Sequence, residues 1–300
     1  MTPLFSRKPL LAALTLGVAV LLPVASADDS AEFAVEPQTT PLSAIKAGSP
    51  TRFTYELKAS AWAFILPITG KARFTTELNA DTYRITSKVK TTGLADILVN
   101  YDLALSATGY VREDGLSPYA YISQNNDGKK NRRVELTWGP ADVAGKINPR
   151  FGNMGDPEAQ PAQKIDAMDP VAALINFALE PRDDRETNPC GGPIKTFDGR
   201  QLSHLHLTYA GMKQVRSDAW RGEAIECHIT LDKVAGFKAG EKNKDTLAGI
   251  EGPLRMWLAP LSNGATVPVR IEADTDDIGK VTLQASVMNF EPLTVQKAER

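Results

Sequence analysis

The sequence predicts an all-β protein in which a strongly curved antiparallel sheet forms an open barrel or β-spiral with one helix packed against it. Three observations support this fold class. Apolar and polar residues alternate with a period of two in about a dozen segments. Short turns rich in Gly, Asn, Asp and Pro separate many of these segments, and such turns join antiparallel neighbours. Only the segment that follows Asp169 shows helical spacing over a useful length.

Composition and charge exclude several other classes. Of the 300 residues, 42% are hydrophobic and 23% are charged, which is the balance of a globular protein and not of a disordered chain or a coiled coil. The formal net charge is −2. Because phosphate neutralisation needs a strongly basic face, this charge argues against a nucleic-acid partner.

Residues 1–27 are predicted to be a cleaved signal peptide. Arg7 and Lys8 form a positive start, residues 10–22 are apolar, and residues 24–27 read Val-Ala-Ser-Ala, a small-x-small cleavage site. The apolar stretch is shorter than the roughly 20 residues of a spanning helix, although an uncleaved anchor is the alternative. We therefore expect export to the periplasm and a mature chain that does not span the membrane.

The first segments after cleavage are expected to lack regular structure. Residues 28–49 are small and polar and contain Pro37, Pro41 and Gly48, so they are predicted to be a flexible leader with order beginning near Thr51. No linker interrupts the pattern downstream. Residues 50–293 are therefore predicted to be a single β-rich domain, and residues 294–300 a C-terminal tail.

The strands follow one another in chain order. Phe53, Tyr55 and Leu57 alternate with polar residues and mark the first strand. A short helical turn is predicted at residues 93–98. Further strands of the first part are predicted at residues 72–78, 83–89, 101–111, 119–124, 133–138 and 142–147.

A loop and a helix divide these strands from the rest. Residues 149–167 lose the alternation and predict a surface loop. Asp169 and Pro170 then supply an N-cap and a first-turn proline. The apolar stripe of this helix, which we expect to plug the open sheet, consists of Val171, Leu174, Ile175, Ala178 and Leu179. The remaining predicted strands are residues 201–209, 223–231, 253–259, 267–274 and 279–287.

The two cysteines predict a disulfide. In an exported chain Cys190 and Cys227 have only one possible pairing, and the compartment is oxidising. A redox-active or metal-binding thiol pair is the alternative. It is disfavoured because the sequence has no Cys-x-x-Cys spacing.

The three histidines are weak candidates for a metal site. His204 and His206 are two residues apart on a predicted strand and so share a face, and His228 could approach on the paired strand. No acidic residue occupies a neighbouring same-face position in the strand of His204. Exposed histidine pairs are common, so no metal and no cofactor are predicted.

An aromatic segment is the candidate ligand wall. Residues 62–67 are apolar on both faces of a presumed strand, which fits core packing or a ligand-facing surface. Core packing is favoured in general. If there is a ligand cavity, we expect Trp62, Phe64 and Leu66 to cover it together with Leu174 of the helix.

Several motifs together resemble one protein family. They are residues 190–200 (Cys-Gly-Gly-Pro-Ile-Lys-Thr-Phe-Asp-Gly-Arg), Cys227, Met256-Trp257-Leu258, Pro268-Val269-Arg270, Gly279 and the helix start at residues 169–174. Over residues 51–293 the chain resembles the domain of unknown function 3108 family. The resemblance implies an exported, β-rich envelope protein of Gram-negative bacteria without assigned catalytic residues. By fold analogy it extends to periplasmic open barrels, some of which bind lipid or acyl chains.

Three functional hypotheses follow. The favoured one is a non-enzymatic periplasmic envelope protein that binds an apolar ligand, such as a lipid or acyl chain, or a partner segment in its curved sheet. The alternative is a structural or interaction module of the envelope that offers sheet edges to another protein and has no small ligand. A metal-dependent hydrolase built on the three histidines is the least favoured, since no general base accompanies them.

Overall fold

The computed structural model describes residues 40–63, 66–92, 101–128, 131–181, 186–238, 250–275 and 279–293. In these residues the chain forms three helices, α1 (Pro41–Lys46), α2 (Pro161–Ile165) and α3 (Pro170–Leu179). The strands are β1 (Thr51–Ala63), β2 (Leu66–Leu78), β3 (Thr82–Thr92), β4 (Asp102–Val111), β5 (Leu116–Asn125), β6 (Arg133–Trp138), β7 (Val143–Asn148), β8 (Ile194–Phe197), β9 (Leu202–Arg216), β10 (Arg221–Ala235), β11 (Ile250–Pro260), β12 (Thr266–Thr275) and β13 (Gly279–Pro292).

All these strands belong to one antiparallel sheet. Its order is β7-β6-β5-β4-β3-β2-β1-β13-β12-β11-β10-β9-β8, so each half is a meander of sequential neighbours. We call β1–β7 the N-terminal arm and β8–β13 the C-terminal arm. The arms join where β1 pairs with β13. Among the described residues β7 and β8 are the outer strands, and the sheet is not closed, which confirms the predicted curved antiparallel fold.

Loop segments bring the two arms together on the open side. Gly199, just after β8, has φ +101°, and a Cβ there would lie 2.7 Å from Val134 Cγ1 of β6. The loop before α2 hydrogen bonds to the end of β10, since Asp156 N donates to Phe237 O and Gly236 N donates to Pro157 O. A glycine is required at 199 because the backbone approaches the other arm closely in a left-handed conformation.

Helix α3 fills the curve of the sheet, as predicted. The carboxylate of Asp169 caps it by accepting from Val171 N at 3.0 Å and Ala172 N at 2.8 Å. The helix contacts β3, β4, β5, β8 and β12, and therefore reaches both arms. Asn176 Oδ1 accepts from Leu116 N at 2.6 Å and so attaches the helix to the start of β5.

Some expectations need correction. The leader is not unstructured up to residue 49, because α1 begins at Pro41. Thr40 Oγ1 caps this helix, and the burial of Leu42 and Ile45 in the core stabilises it. The predicted loop at residues 149–167 contains α2, and the four-residue strand β8 lies in a polar segment that showed no alternation.

The prediction of a single strand at residues 62–67 is also wrong. Strand β1 ends at Ala63, β2 begins at Leu66, and Trp62 pairs with Pro67 across this hairpin. The signal peptide at 1–27, the remaining leader up to residue 39, the helical turn at 93–98 and the tail at 294–300 lie outside the described residues. In the part of the chain that the structure describes, no helix is long and apolar enough to cross a membrane.

Candidate functional site

A cavity of about 640 Å³ lies on the inner face of the N-terminal arm, open on one side. Residues of β4, β5 and β6 form most of its wall. Phe151, Pro170 at the start of α3 and Asp198 after β8 complete it. Its lining consists of Tyr101, Leu103, Leu105, Tyr121, Ser123, Asn125, Asp127, Arg132, Val134, Phe151, Pro170 and Asp198. Most of the exposed lining is apolar.

Cross-strand register explains why space remains here. Leu105, Ser123 and Val134 face one another in a row across β4, β5 and β6. In the next row, Tyr121 and Leu136 are large and almost fully buried. Because residues two apart on a strand share a face, the small Ser123 leaves the first row underfilled, whereas Tyr121 fills the second.

The rim of the cavity is polar and carries charges of both signs, from Arg132 and from the carboxylates of Asp127 and Asp198. The guanidinium of Arg132 lies over the ring of Phe151, 4.1 Å from its centroid, and Arg132 Nε donates to Pro149 O at 2.8 Å. Arg200 approaches the same ring at 5.7 Å. Its buried Nε and Nη2 have no hydrogen-bond partner among the described residues. Two guanidinium groups thus approach the Phe151 ring, and of the two Arg132 is the one that lines the cavity.

Asp198 is one of the two acidic residues in the lining. Its Oδ1 accepts from Arg200 N at 2.8 Å and Gln201 N at 2.7 Å, which fixes the turn after β8. Partial burial raises the pKa of Asp198, and these backbone donors oppose that effect. The carboxylate is therefore used in holding the turn.

The N-cap residue of α3, Asp169, carries a buried carboxyl group. Asp169 is fully buried, and its Oδ2 has no hydrogen-bond partner among the described residues. Burial raises the pKa of Asp169 to about 7, although the two helix N–H donors act in the opposite direction. Its nearness also contributes to raising the pKa of Tyr83 and Tyr121, for which burial is the main cause.

The prediction that Trp62, Phe64, Leu66 and Leu174 cover a ligand cavity stays a prediction. Phe64 lies outside the described residues, and Trp62 and Leu66 belong to the end of the β1–β2 hairpin. Leu174 is partly buried against the core and is not among the cavity-lining residues. The lining residues of β4, β5 and β6 lie on strands that the alternation predicts, but alternation does not show which stretch of a strand is left unfilled.

Cys190 and Cys227 form the predicted disulfide, with a Cα–Cα distance of 5.9 Å. The bond is buried in a cluster on the C-terminal arm. Phe177 of α3 belongs to the same cluster, together with Ile229, Met256 and Leu258. The crosslink therefore lies where the helix meets this arm.

The histidines divide into a pair and a separate residue. His204 and His206 share the outer face of β9, and the ring centroids are 6.5 Å apart. Asp232 of β10 lies directly opposite His204, with 3.9 Å between its Oδ2 and His204 Nδ1. Burial is the main cause that lowers the pKa of His204. His228 does not join them, since it lies opposite Thr208 and its Nε2 is 3.5 Å from Glu226 Oε1.

Comparison with known protein families gives one match. The model of a family described as "Protein of unknown function (DUF3108)" matches residues 54–286. No curated protein sequence matches the chain.

Two solved structures match the chain at low sequence identity. One is the β-barrel-like protein of domain of unknown function DUF1849 from Brucella abortus, at 11% identity and a TM-score of 0.47, covering 82% of this chain and 98% of that chain. The other is a DUF1329 family protein from Desulfovibrio piger, at 10% identity and a TM-score of 0.22, covering 84% of this chain and 88% of that chain.

Proposed function

The chain belongs to the DUF3108 family of proteins of unknown function, and we propose that it is a non-enzymatic protein of the periplasm that binds an acyl chain on the inner face of its N-terminal arm. The observation that carries this proposal is the cavity of about 640 Å³ on the face of β4, β5 and β6. Cavities of roughly 300–1,000 Å³ are typical of small-molecule sites.

The chemistry of the cavity suits an amphiphile. Leu103, Leu105 and Val134 provide apolar walls for a hydrocarbon chain, and burial of each CH₂ group contributes about 0.8 kcal/mol. Arg132 donates from Nε and Nη2 to the carbonyls of Pro149 and Arg150, and its guanidinium offers a positive charge to an anionic head group at a rim that also holds Asp127 and Asp198. An acyl chain with a carboxylate or phosphate at its end matches both parts.

The polar groups of the lining support binding more than catalysis. The Asp198 carboxylate holds a backbone turn, and Arg132 donates to the carbonyl of Pro149. A nucleophile needs a base within hydrogen-bond reach. Ser123 carries the hydroxyl group of the underfilled row. The residues opposite it on the two adjacent strands are apolar, Leu105 on β4 and Val134 on β6.

Two features support the periplasmic location. Residues 1–27 have the charge, apolar stretch and small residues of a signal peptide. The Cys190–Cys227 disulfide suits an oxidising compartment, because disulfides are rare in the cytosol. Sequencing the N-terminus of protein isolated from the periplasmic fraction tests this part of the proposal, and a cytoplasmic chain that begins at Met1 contradicts it.

Blocking the cavity tests the proposed ligand directly. We expect delipidated protein to bind a fluorescent fatty acid, and L105W to weaken this binding at least ten-fold because the indole occupies the underfilled row. The matched control is S106W, which places the same side chain on the opposite face of the same strand. Equal affinity for wild type, L105W and S106W would contradict the proposal.

The head-group part needs a separate test. For R132A we expect the affinity for the fatty acid to fall several-fold, while the affinity for its methyl ester stays within about two-fold, since the ester has no charge to pair. Comparing the two probes on the same variant controls for any change in the shape of the rim. A protein that binds neither probe is better described as an interaction module of the envelope.

A further inference from the structure

We infer that the outer face of the β9–β10 hairpin binds a divalent late transition-metal cation through His204, His206 and Asp232. The inference is independent of the acyl-chain proposal, because these residues are not part of the cavity lining. Each residue offers one ligand atom, and the three atoms lie within 4.8 Å of one another. The cluster thus combines two imidazole groups and one carboxylate on an exposed surface, where a bound metal ion could take a further ligand.

Strand register brings the three side chains together. His204 and His206 are two residues apart on β9, so both point to the same face. Asp232 of β10 lies directly opposite His204, and Thr230 lies opposite His206. The cross-strand position supplies the acidic ligand that is missing from the histidine strand itself.

The geometry requires only a small adjustment to hold a metal. In a tetrahedral zinc site with bond lengths of about 2.0–2.1 Å, neighbouring ligand atoms are roughly 3.3 Å apart. His206 and Asp232 are exposed, so their side chains can rotate toward a metal ion. His204 is half-buried and stays in place. Three protein ligands leave a fourth position for water or for a group of a partner molecule.

The charges around the cluster favour a cation. Lys195 of β8 lies opposite His204, and its ammonium group pairs with Asp166. The ion-pair partner of Lys195 is therefore Asp166 and not Asp232. Imidazole and carboxylate ligands together suit Zn²⁺ and its neighbours in the late first row, whereas Mg²⁺ and Ca²⁺ prefer all-oxygen sites.

His228 provides a matched control on the same surface. It shares the outer face of β10 with Asp232 but lies four residues away, roughly 13 Å at the rise of a strand. Its Nε2 is next to Glu226, outside the cluster. Replacing His228 therefore removes a partly exposed histidine from the hairpin without touching the proposed ligands.

Calorimetric titration with ZnCl₂ tests the inference on the untagged protein with its disulfide intact. We expect one zinc site in wild type and in H228A. We expect H204A, H206A and D232N each to lower the zinc affinity at least ten-fold, the lower end of what loss of even an outer-shell partner costs. Thermal unfolding without metal checks that the variants fold, and we expect added zinc to raise the Tm of wild type but not of H206A.

Two results would overturn the inference. One is a zinc affinity that stays within about two-fold of wild type in both H206A and D232N. The other is an equal loss in H228A, which would show that histidines bind the metal without a defined site. Acyl-probe affinity measured on D232N separates this test from the proposed function, since we expect it to be unchanged.

Discussion

The inner faces of the two arms differ in how they are filled. On the C-terminal arm, Phe177 of α3 packs with Met256, Leu258 and the buried Cys190–Cys227 bond. On the N-terminal arm, β4, β5 and β6 leave a cavity of about 640 Å³ beyond the start of the same helix. Both faces are built from strands with the same alternation of polar and apolar residues.

The difference follows from what covers each face. The C-terminal arm receives the large side chain of Phe177 and the Cys190–Cys227 crosslink, which form a buried cluster with Met256 and Leu258. At the cavity, the N-terminal arm is bordered by Pro170 at the start of α3 and by Phe151, and the side chain of Ser123 adds little volume. A sheet of one pattern thus carries a buried apolar cluster on one arm and an open cavity on the other.

Removing the disulfide is the strongest way to disturb the filled arm. The bond closes a loop with a sequence separation of 37, so we expect the double variant C190A/C227A to lose about 4 kcal/mol in the free energy of unfolding. Urea unfolding of wild type and variant measures this loss. We expect the acyl-probe affinity of the folded variant to change little, and its abolition would show that the two arms are not separable.

A pair of leucine truncations compares the arms directly. Leu258 is fully buried in the filled cluster, so we expect L258A to cost about 3 kcal/mol. Leu105 is only half-buried and borders the cavity, so we expect L105A to cost at most about 1 kcal/mol in delipidated protein. Chemical denaturation measures both values, and equal losses would mean that the cavity is packed as tightly as the other arm.

The buried carboxyl group of Asp169, which caps α3, predicts a dependence of stability on pH. The pKa of Asp169 is raised to about 7 by burial, so the folded chain binds this proton more tightly than the unfolded chain does. The contribution of Asp169 to stability is therefore complete below about pH 4 and is lost as the pH rises to 7. We expect the stability of wild type relative to D169N to fall by about 2 kcal/mol between pH 5 and pH 8.

Urea unfolding at both pH values measures the effect of D169N. The asparagine keeps the Oδ1 acceptor that caps α3, so the helix is retained. D114N, at an exposed turn position, controls for the change in net charge. A stability difference between wild type and D169N that is the same at pH 5 and pH 8 would contradict the assignment.

Part of the candidate sites could be read from the sequence. His204 and His206 are visible as a same-face pair because their spacing is local, whereas Asp232 becomes their neighbour only through the register of β9 against β10. The cavity residues lie on strands that the alternation predicts. Alternation alone, however, does not show that a cavity remains beside Leu105 and Ser123.

The sequence by itself determined the strand pattern, the capped helix after Asp169 and the single possible cysteine pair, because each depends on near neighbours or on simple pairing. Tertiary structure alone decided that α1 packs into the core through Leu42 and Ile45, that β8 forms the outer strand, and that a cavity remains beside Ser123. These outcomes depend on curvature, register and the volume of facing side chains. Such quantities are set by contacts between residues far apart in the chain.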